Sequence, residues 1–181
     1  MATHYSEWSS PSQIAFASVG GSQYAYLTDY ASSDVTICSI AGSGLFSSCT
    51  KITTVIEHPN GIAIFSASNG KQYAYIADAP GTVAQCELNL LDGTFSSCGL
   101  LIVNADNPPS LSGITFANVN ATQYAYLSDF SSYQVSGGYS GGKIWVCSLQ
   151  NNGSFDSCGY TPLQNPDWRV TGSAAVTYIT H

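Results

Sequence analysis

The scarcest feature of this sequence of 181 residues is electrical charge. Only 8% of the residues are charged, against about 25% in ordinary soluble proteins. Lys and Arg together number four, and the net charge is −7 without any basic cluster, so we predict no nucleic-acid partner. A surface covered mainly by neutral polar side chains suits extracellular life and lets copies of the chain approach each other closely.

Long apolar runs and helical patterns are scarce as well. No stretch reaches the roughly 18 apolar residues of a membrane span, so we predict no membrane insertion. Residues 1–20 lack the cationic start and apolar core of a signal peptide. No segment keeps an apolar face at helical spacing, which predicts little helix. Neither a C-x-x-C motif nor a Cys/His cluster is present, and we predict no metal and no cofactor.

What the sequence does contain is an internal repeat. The segment Gln23–Asp29, QYAYLTD, recurs as QYAYIAD at 72–78 and as QYAYLSD at 123–129. Each copy follows a short apolar segment and precedes two segments that each carry a cysteine. Every unit thus offers four short segments rich in Tyr, Ile, Val, Phe and Thr between Gly, Asn, Asp and Ser, a pattern typical of strands and turns.

A repeat of about 50 residues with four strands indicates the blades of a β-propeller. We predict one all-β domain over 1–181, with antiparallel four-stranded units at 13–53, 61–103 and 111–162 and an extra strand at 171–180. The strands of the first unit are expected at 13–19, 22–29, 34–40 and 45–53. Those of the second unit are expected at 61–67, 71–78, 82–89 and 94–103. Those of the third unit are expected at 111–118, 122–129, 143–149 and 154–162.

The repeated motif Tyr-Ala-Tyr-hydrophobic-x-Asp, followed by Val-x-x-Cys, resembles the blades of the YVTN and lactonase-like β-propeller group. The resemblance covers most of residues 13–162 and implies a propeller architecture, although the group normally carries more blades and does not require cysteines. A lactonase-like hydrolase would need Glu, Asp, Asn or His converging on a central channel from the first strands. Those strands carry no carboxylate, so we predict that the protein is not an enzyme.

Six cysteines fall into three equivalent pairs: Cys38 with Cys49, Cys86 with Cys98, and Cys147 with Cys158. Two-residue turns at Asn152-Gly153 and at Ser43-Gly44, and a three-residue loop at 91–93, would place each pair directly opposite on a hairpin. Opposed residues have Cα atoms about 4.5 to 5.5 Å apart, which a disulfide can span. We therefore predict three disulfides and an extracellular, secreted protein, with reduced structural cysteines as the alternative.

The second strand of each unit ends in an aspartate: Asp29, Asp78 and Asp129. We predict that each carboxylate caps its own turn by accepting backbone N–H bonds, with a cation-binding ring as the alternative. Alternation with alanine directs the paired tyrosines, such as Tyr24 and Tyr26, to one face of the sheet. We expect them to pack between blades, with a ligand-stacking surface as the alternative.

Two further motifs are short and common. The sequons at Asn120 and Asn152 would permit glycosylation in a eukaryotic host. Residues 138–142 match the G-x-S-x-G pattern of a hydrolase nucleophile, but that motif needs a helix after the serine, and here a strand is expected. We interpret this segment as a flexible loop.

The ends of the repeat array point to assembly. Trp8 and Trp168 lie outside the repeats, and the predicted strand at 171–180, which contains Val176 and Tyr178, has no blade of its own. Exposed strand edges pair with other chains, so we predict a homo-oligomer or a fibre formed through blade edges. A glycan-binding lectin, or binding of a glycan or protein ligand on the loop faces, is the alternative.

Overall fold

A computed structural model describes residues 8–130, 133–135, 138–140 and 142–162 of the chain. The regular structure of these residues is entirely β. Blade 1 contains β1 (Pro11–Val19), β2 (Ser22–Asp29), β3 (Asp34–Ile40) and β4 (Phe46–Thr53). Blade 2 contains β5 (Pro59–Ser66), β6 (Gln72–Asp78), β7 (Thr82–Leu88) and β8 (Phe95–Ile102). Blade 3 contains β9 (Leu111–Val119), β10 (Thr122–Asp129), β13 (Lys143–Leu149) and β14 (Phe155–Pro162), with the hairpin β11 (Tyr133–Val135) and β12 (Gly138–Ser140) inserted.

Each blade is an antiparallel sheet whose strands pair in sequence order, apart from the inserted hairpin, which forms a separate two-stranded sheet. The predicted fold class is therefore confirmed, and each of the twelve strands predicted within the three units begins and ends within two residues of the observed one. The interpretation of 138–142 as part of a flexible loop is wrong, because Gly138–Ser140 is a strand. Ser140 is followed by β13 rather than by a helix, so the nucleophile pattern lacks its structural context. No helix among the described residues is long and apolar enough to cross a membrane.

The hairpins that carry the cysteines differ from the predicted turns in one respect. In blade 1 the amide of Gly44 bonds to the carbonyl of Ala41 at 2.8 Å, and Ala41 faces Leu45, so the loop has three residues rather than two. The longer loop shifts the strand pairing by one residue, and a β-bulge at Ser47, between the pairs made by Ser39 and Ile40, shifts it back. Because the longer loop and the bulge offset each other, the cysteines still face each other as predicted.

The same compensation recurs in the other two blades. In blade 2 the loop is residues 90–93 instead of 91–93, since Asn89 faces Thr94. In blade 3 it is residues 151–153. Bulges at Ser96 and Asp156 restore the registers. In all three units the bulge lies close to the turn, and it changes the direction of the strand that follows.

Side chains alternate between the two faces of each blade. We call the face toward the following unit the trailing face and the face toward the preceding unit the leading face. The trailing face of blade 1 and the leading face of blade 2 enclose a core that includes Val19, Tyr26, Val35, Ile37, Ile62, Ala74, Ile76, Ala84, Cys86 and Leu88. Blades 2 and 3 enclose a second core that includes Tyr73, Tyr75, Ala77, Val83, Leu111, Ile114, Phe116, Ala125, Leu127, Trp145 and Cys147.

The first strands of the blades approach each other most closely. A Cβ atom added to Gly61 of β5 would lie 2.6 Å from the Cα of Gly113 in β9, so only glycine allows this contact. On the other side, the amide of Ile62 donates to the Gln13 side chain of β1 at 2.9 Å. The hydroxyl of Thr28 donates to the carbonyl of Asn60 at 2.7 Å. These bonds fix how neighbouring blades are seated.

Candidate interaction surface

All six cysteines are joined in the three predicted disulfides, with Cα atoms 4.0 to 4.1 Å apart. The distance is somewhat shorter than the predicted range. Each bridge lies on the leading face of its blade, where Cys86 and Cys147 are fully buried by the preceding blade. Cys38 is equally buried, although its neighbours are residues of its own blade and Trp8.

The carboxylate of Asp29 holds the segment that leads into β1. It accepts hydrogen bonds from the amides of Ser9 and Ser10, both at 2.9 Å, and from the amide of Ala31 in its own turn at 3.2 Å. Burial by itself raises the pKa of Asp29, but these bonds outweigh it, and the pKa is held below the ordinary 3.8. The bond to Ala31 is the predicted turn cap, whereas the bonds to Ser9 and Ser10 were not predicted.

The equivalent aspartates hold the segment before the first strand in the other blades, whereas a bond to the aspartate's own turn is seen for Asp29. Asp78 accepts from the amide of His58 at 3.0 Å, and Asp129 accepts from the amide of Ser110 at 3.1 Å and from the indole of Trp145 at 3.1 Å. Each carboxylate therefore anchors the chain just before the first strand of its blade. Among the described residues no cluster of His, Cys, Asp or Glu has the arrangement of a metal site.

Asp29→Asn is expected to lower the free energy of unfolding by about 1 to 2 kcal/mol at pH 7, because backbone donors lose a charged acceptor. The pKa of Asp29 is depressed in the folded state, so its contribution is present above pH 3.8 and is lost as the pH falls through the folded pKa. The difference between wild type and variant should narrow below that pH, as measured by urea unfolding at several pH values. Stoichiometric calcium binding that disappears in the variant would instead support the cation-binding alternative.

A tyrosine hydroxyl connects each blade to the hairpin of the next. Tyr26 of blade 1 donates to the carbonyl of Gly93 in blade 2 at 2.8 Å, and Tyr75 of blade 2 donates to the carbonyl of Gly153 in blade 3 at 3.0 Å. Both tyrosines are completely buried, which raises their pKa values. The glycine carbonyls are thereby hydrogen-bonded inside the buried interfaces between blades. The tyrosine pairs of blades 1 and 2 thus pack between blades, as their alternation predicted.

The leading face of blade 1 is exposed where the other two leading faces are covered. Ile14 of β1 is 40% exposed, whereas the equivalent Ile62 and Ile114 are 2% and 3% exposed. Phe16 is 57% exposed, whereas its equivalent Phe116 in blade 3 is 6% exposed. These positions are equivalent because each pairs with the corresponding residue of the repeated seven-residue segment that begins with QYAY. An apolar surface built like a blade interface therefore lies open on blade 1.

The trailing face of blade 3 shows the opposite half of the same interface. Val119 is 44% exposed, whereas its equivalent Val19 in blade 1 is 2% exposed. Tyr126 is only half-buried, whereas Tyr26 and Tyr75 are completely buried. The described part of the chain contains no hydrogen-bond acceptor for the Tyr126 hydroxyl. Blade 3 thus exposes the side chains that blades 1 and 2 insert into their neighbours.

Trp8, predicted to take part in assembly, lies on the open leading face. It packs against Ala25, Leu27 and the disulfide of blade 1, and its indole donates to the Thr36 hydroxyl at 3.2 Å. In blade 3 the position of Thr36 is occupied by Trp145, which blade 2 covers. An indole at this place is therefore compatible with a neighbouring blade.

The remaining residues predicted from the sequence either lie outside the described residues or occupy exposed turns. Trp168, Val176, Tyr178 and the predicted strand at 171–180 lie outside the described residues. Asn120 and Asn152 are exposed in turns, and the side-chain oxygen of Asn152 accepts the amide of Ser154 at 3.0 Å. Whether either sequon carries a glycan stays a prediction.

A polar groove of about 210 Å³ lies between the outer strands of blade 1 and the hairpin of blade 2. It is lined by Tyr24, Ile37, Ser39, Ser48, Thr50, Asp92 and Thr94. The hydroxyl and the amide of Thr94 bond to the Asp92 carboxylate at 2.7 and 3.0 Å and lower its pKa. The groove thus combines one aromatic ring with a carboxylate and several hydroxyl groups.

No known protein family and no curated protein matches this sequence. Among solved structures, the chain is similar to a GH43 glycoside hydrolase whose engineered active site displays both endo-xylanase and exo-arabinofuranosidase activity. The TM-score is 0.55 at 8% sequence identity, and the match covers 89% of this chain but 31% of the hydrolase, which is a five-bladed β-propeller. A likeness at this identity shows the fold alone. The chain is accordingly a propeller-like protein whose described residues form three blades, each with one internal disulfide.

Proposed function

We propose that this protein is a secreted, non-enzymatic scaffold of β-propeller type that self-associates into a closed oligomer or a fibre. The observation that carries the proposal is the exposure of Phe16 and Val119. The position of Phe16 is buried in blade 3 and partly buried in blade 2, and the position of Val119 is buried in both other blades. A buried side chain of this size contributes about 1.5 to 3 kcal/mol relative to an exposed one, so covering both faces favours association. From the sequence we expected copies of the chain to pair through strand edges. The exposed apolar residues on blades 1 and 3 instead favour association through the faces of these blades.

The low charge and the three disulfides agree with this function. With 8% charged residues, few like charges oppose the approach of a second copy. Disulfides on the leading faces keep the hairpins rigid before any partner arrives, and they are typical of extracellular proteins. A rigid face loses less conformational entropy on binding than a flexible one.

The carboxylates support a non-enzymatic function. A hydrolase of the lactonase-like type would present acidic side chains to a ligand in the central channel. Here Asp29, Asp78 and Asp129 are buried, and each accepts hydrogen bonds from the protein's own backbone amides. We infer that they stabilise the blades and do not take part in a reaction.

The test is the oligomeric state of the full chain. Sedimentation velocity and native mass spectrometry over a range of concentrations are expected to show oligomers for the wild type and monomers for Phe16→Glu. Phe16 is already more than half exposed in the isolated chain, so the charge should disturb assembly and leave the blade folded.

Leu91→Glu is the matched control. Leu91 is exposed at the tip of the blade 2 hairpin, away from both open faces, and its variant should assemble like the wild type. A wild-type chain that stays monomeric at high concentration would refute self-association.

A glycan-binding lectin is the second candidate, favoured by the groove beside Tyr24 and Asp92. Aromatic rings and fixed carboxylates are groups on which a polar, partly apolar ligand can stack and hydrogen-bond. A glycan array with the wild type and with Tyr24→Ala tests it. Binding that survives the substitution would exclude this groove.

A further inference from the structure

We propose that copies of this chain associate head to tail, with the trailing face of blade 3 packed on the leading face of blade 1 of the next copy. The proposal rests on the self-association proposed above and specifies its geometry. Its central contact is a hydrogen bond from the Tyr126 hydroxyl of one copy to the Gly44 carbonyl of the next. The internal repeats provide the argument, because the chain contains this interface twice already.

The two internal interfaces define the rule. Tyr26 donates to Gly93 across the first interface, and Tyr75 donates to Gly153 across the second. The donor is the second tyrosine of QYAY, and the acceptor is the last glycine of the cysteine hairpin. By this rule the next donor is Tyr126, and the hairpin glycine without a donor among the described residues is Gly44.

The hairpin of blade 1 has the shape that this contact requires. Gly44 has a φ of 82°, close to the 71° of Gly93 and the 81° of Gly153, so the glycine that ends each hairpin loop has the same left-handed backbone conformation. A Cβ at Gly93 would lie 2.8 Å from the ring of Tyr24, whereas a Cβ at Gly44 would meet nothing within 4 Å. Space that a neighbouring blade fills at Gly93 is therefore open at Gly44.

The apolar surfaces match in the same register. The open face of blade 3 contains Val119, Ile144 and Val146. In blade 1 the positions of Ile144 and Val146 are occupied by Val35 and Ile37, which are buried against blade 2. The open face of blade 3 would cover Ile14, Phe16 and Trp8 of the next copy. A head-to-tail contact uses two different surfaces, so it extends to a ring or a fibre and does not stop at a two-fold dimer.

The direction of assembly is tested by mixing two blocked variants. Phe16→Glu blocks the leading face, and Val119→Glu blocks the trailing face. Each variant alone is expected to be monomeric, and the equimolar mixture is expected to form a heterodimer, since one intact face remains on each partner. Native mass spectrometry identifies that species because the variants differ in mass.

The outcomes separate this proposal from the previous one. If like faces pair, one of the two variants assembles alone and mixing adds nothing, which overturns the head-to-tail geometry while self-association stands. If the wild type is monomeric at every concentration, self-association itself fails.

The central contact is tested separately. Tyr126→Phe is expected to raise the dissociation constant about 3- to 10-fold through the lost hydrogen bond, and Tyr30→Phe, outside both faces, should have no effect. Gly44→Asn keeps a residue type that tolerates positive φ but adds a side chain at the contact, and it should weaken assembly at least 10-fold. Gly70→Asn is its control, since Gly70 has a φ of 79° and open space around it. Equal effects of the two asparagine variants would contradict the Tyr126–Gly44 contact.

Discussion

Replacing Cys86 and Cys98 together by alanine is expected to lower the free energy of unfolding by about 3 kcal/mol. The bridge closes a loop with a sequence separation of 12 residues, and removing it restores conformational freedom to the unfolded chain. Cys86 is also completely buried in the core between blades 1 and 2, so the lost sulfur leaves space that the neighbours fill only in part. Equilibrium unfolding in guanidinium chloride measures the change.

The pair Cys38 and Cys49 is the matched comparison, because its separation of 11 residues is nearly the same. Its bridge lies on the open leading face of blade 1. The double alanine variant of this pair should lose a similar loop contribution, but the space left by Cys38 would lie against its own blade and Trp8 rather than inside a core between two blades. If the Cys86 and Cys98 variant unfolds within about 0.5 kcal/mol of the wild type, the effect of an ordinary surface substitution, the bridge does not stabilise the fold.

Gly61→Ala is expected to destabilise the protein by about 3 kcal/mol, at the upper end for overpacking. The added methyl carbon would lie 2.6 Å from the Cα of Gly113 and 3.0 Å from the carbonyl oxygen of Ser112. Both obstacles are backbone atoms, so the strands β5 and β9 would have to separate along the contact between blades 2 and 3. Thermal and chemical unfolding measure the loss.

Gly99→Ala is the control for this substitution. Gly99 lies in β8, and a Cβ there would meet no atom within 4 Å. Its replacement should be neutral or slightly stabilising, because alanine restricts the unfolded chain. Equal stability of the two alanine variants would show that the blades can move apart at no cost.

The sequence predicted that Asp29 is a hydrogen-bond acceptor but did not predict all of its partners. Asp29 was predicted to cap its own turn, yet two of its backbone partners, Ser9 and Ser10, lie about 20 residues earlier in the chain. No local pattern reveals such a partner, because β1 and β2 must first pair to bring the two segments together. The same reason explains why the receiving carbonyls of Gly93 and Gly153 could not be predicted.

The turns illustrate a second limit. Asn152-Gly153 favours a two-residue turn by local propensity, but the observed loop has three residues and is followed by a bulge. The cysteine pairing was predicted correctly because it depends on the sum of turn and bulge lengths. Local propensity could not divide that sum between them.

The repeat, the strands and the disulfide pairs could be predicted from the residues alone, because they follow from alternation, turn residues and spacing within about 50 residues. Which face of each blade is covered became visible in the packing of the blades. Ile14, Ile62 and Ile114 look alike in sequence, and Tyr26 looks like Tyr126. They differ only in whether a neighbouring blade lies against them, and burial is a property of the packed array rather than of any single unit.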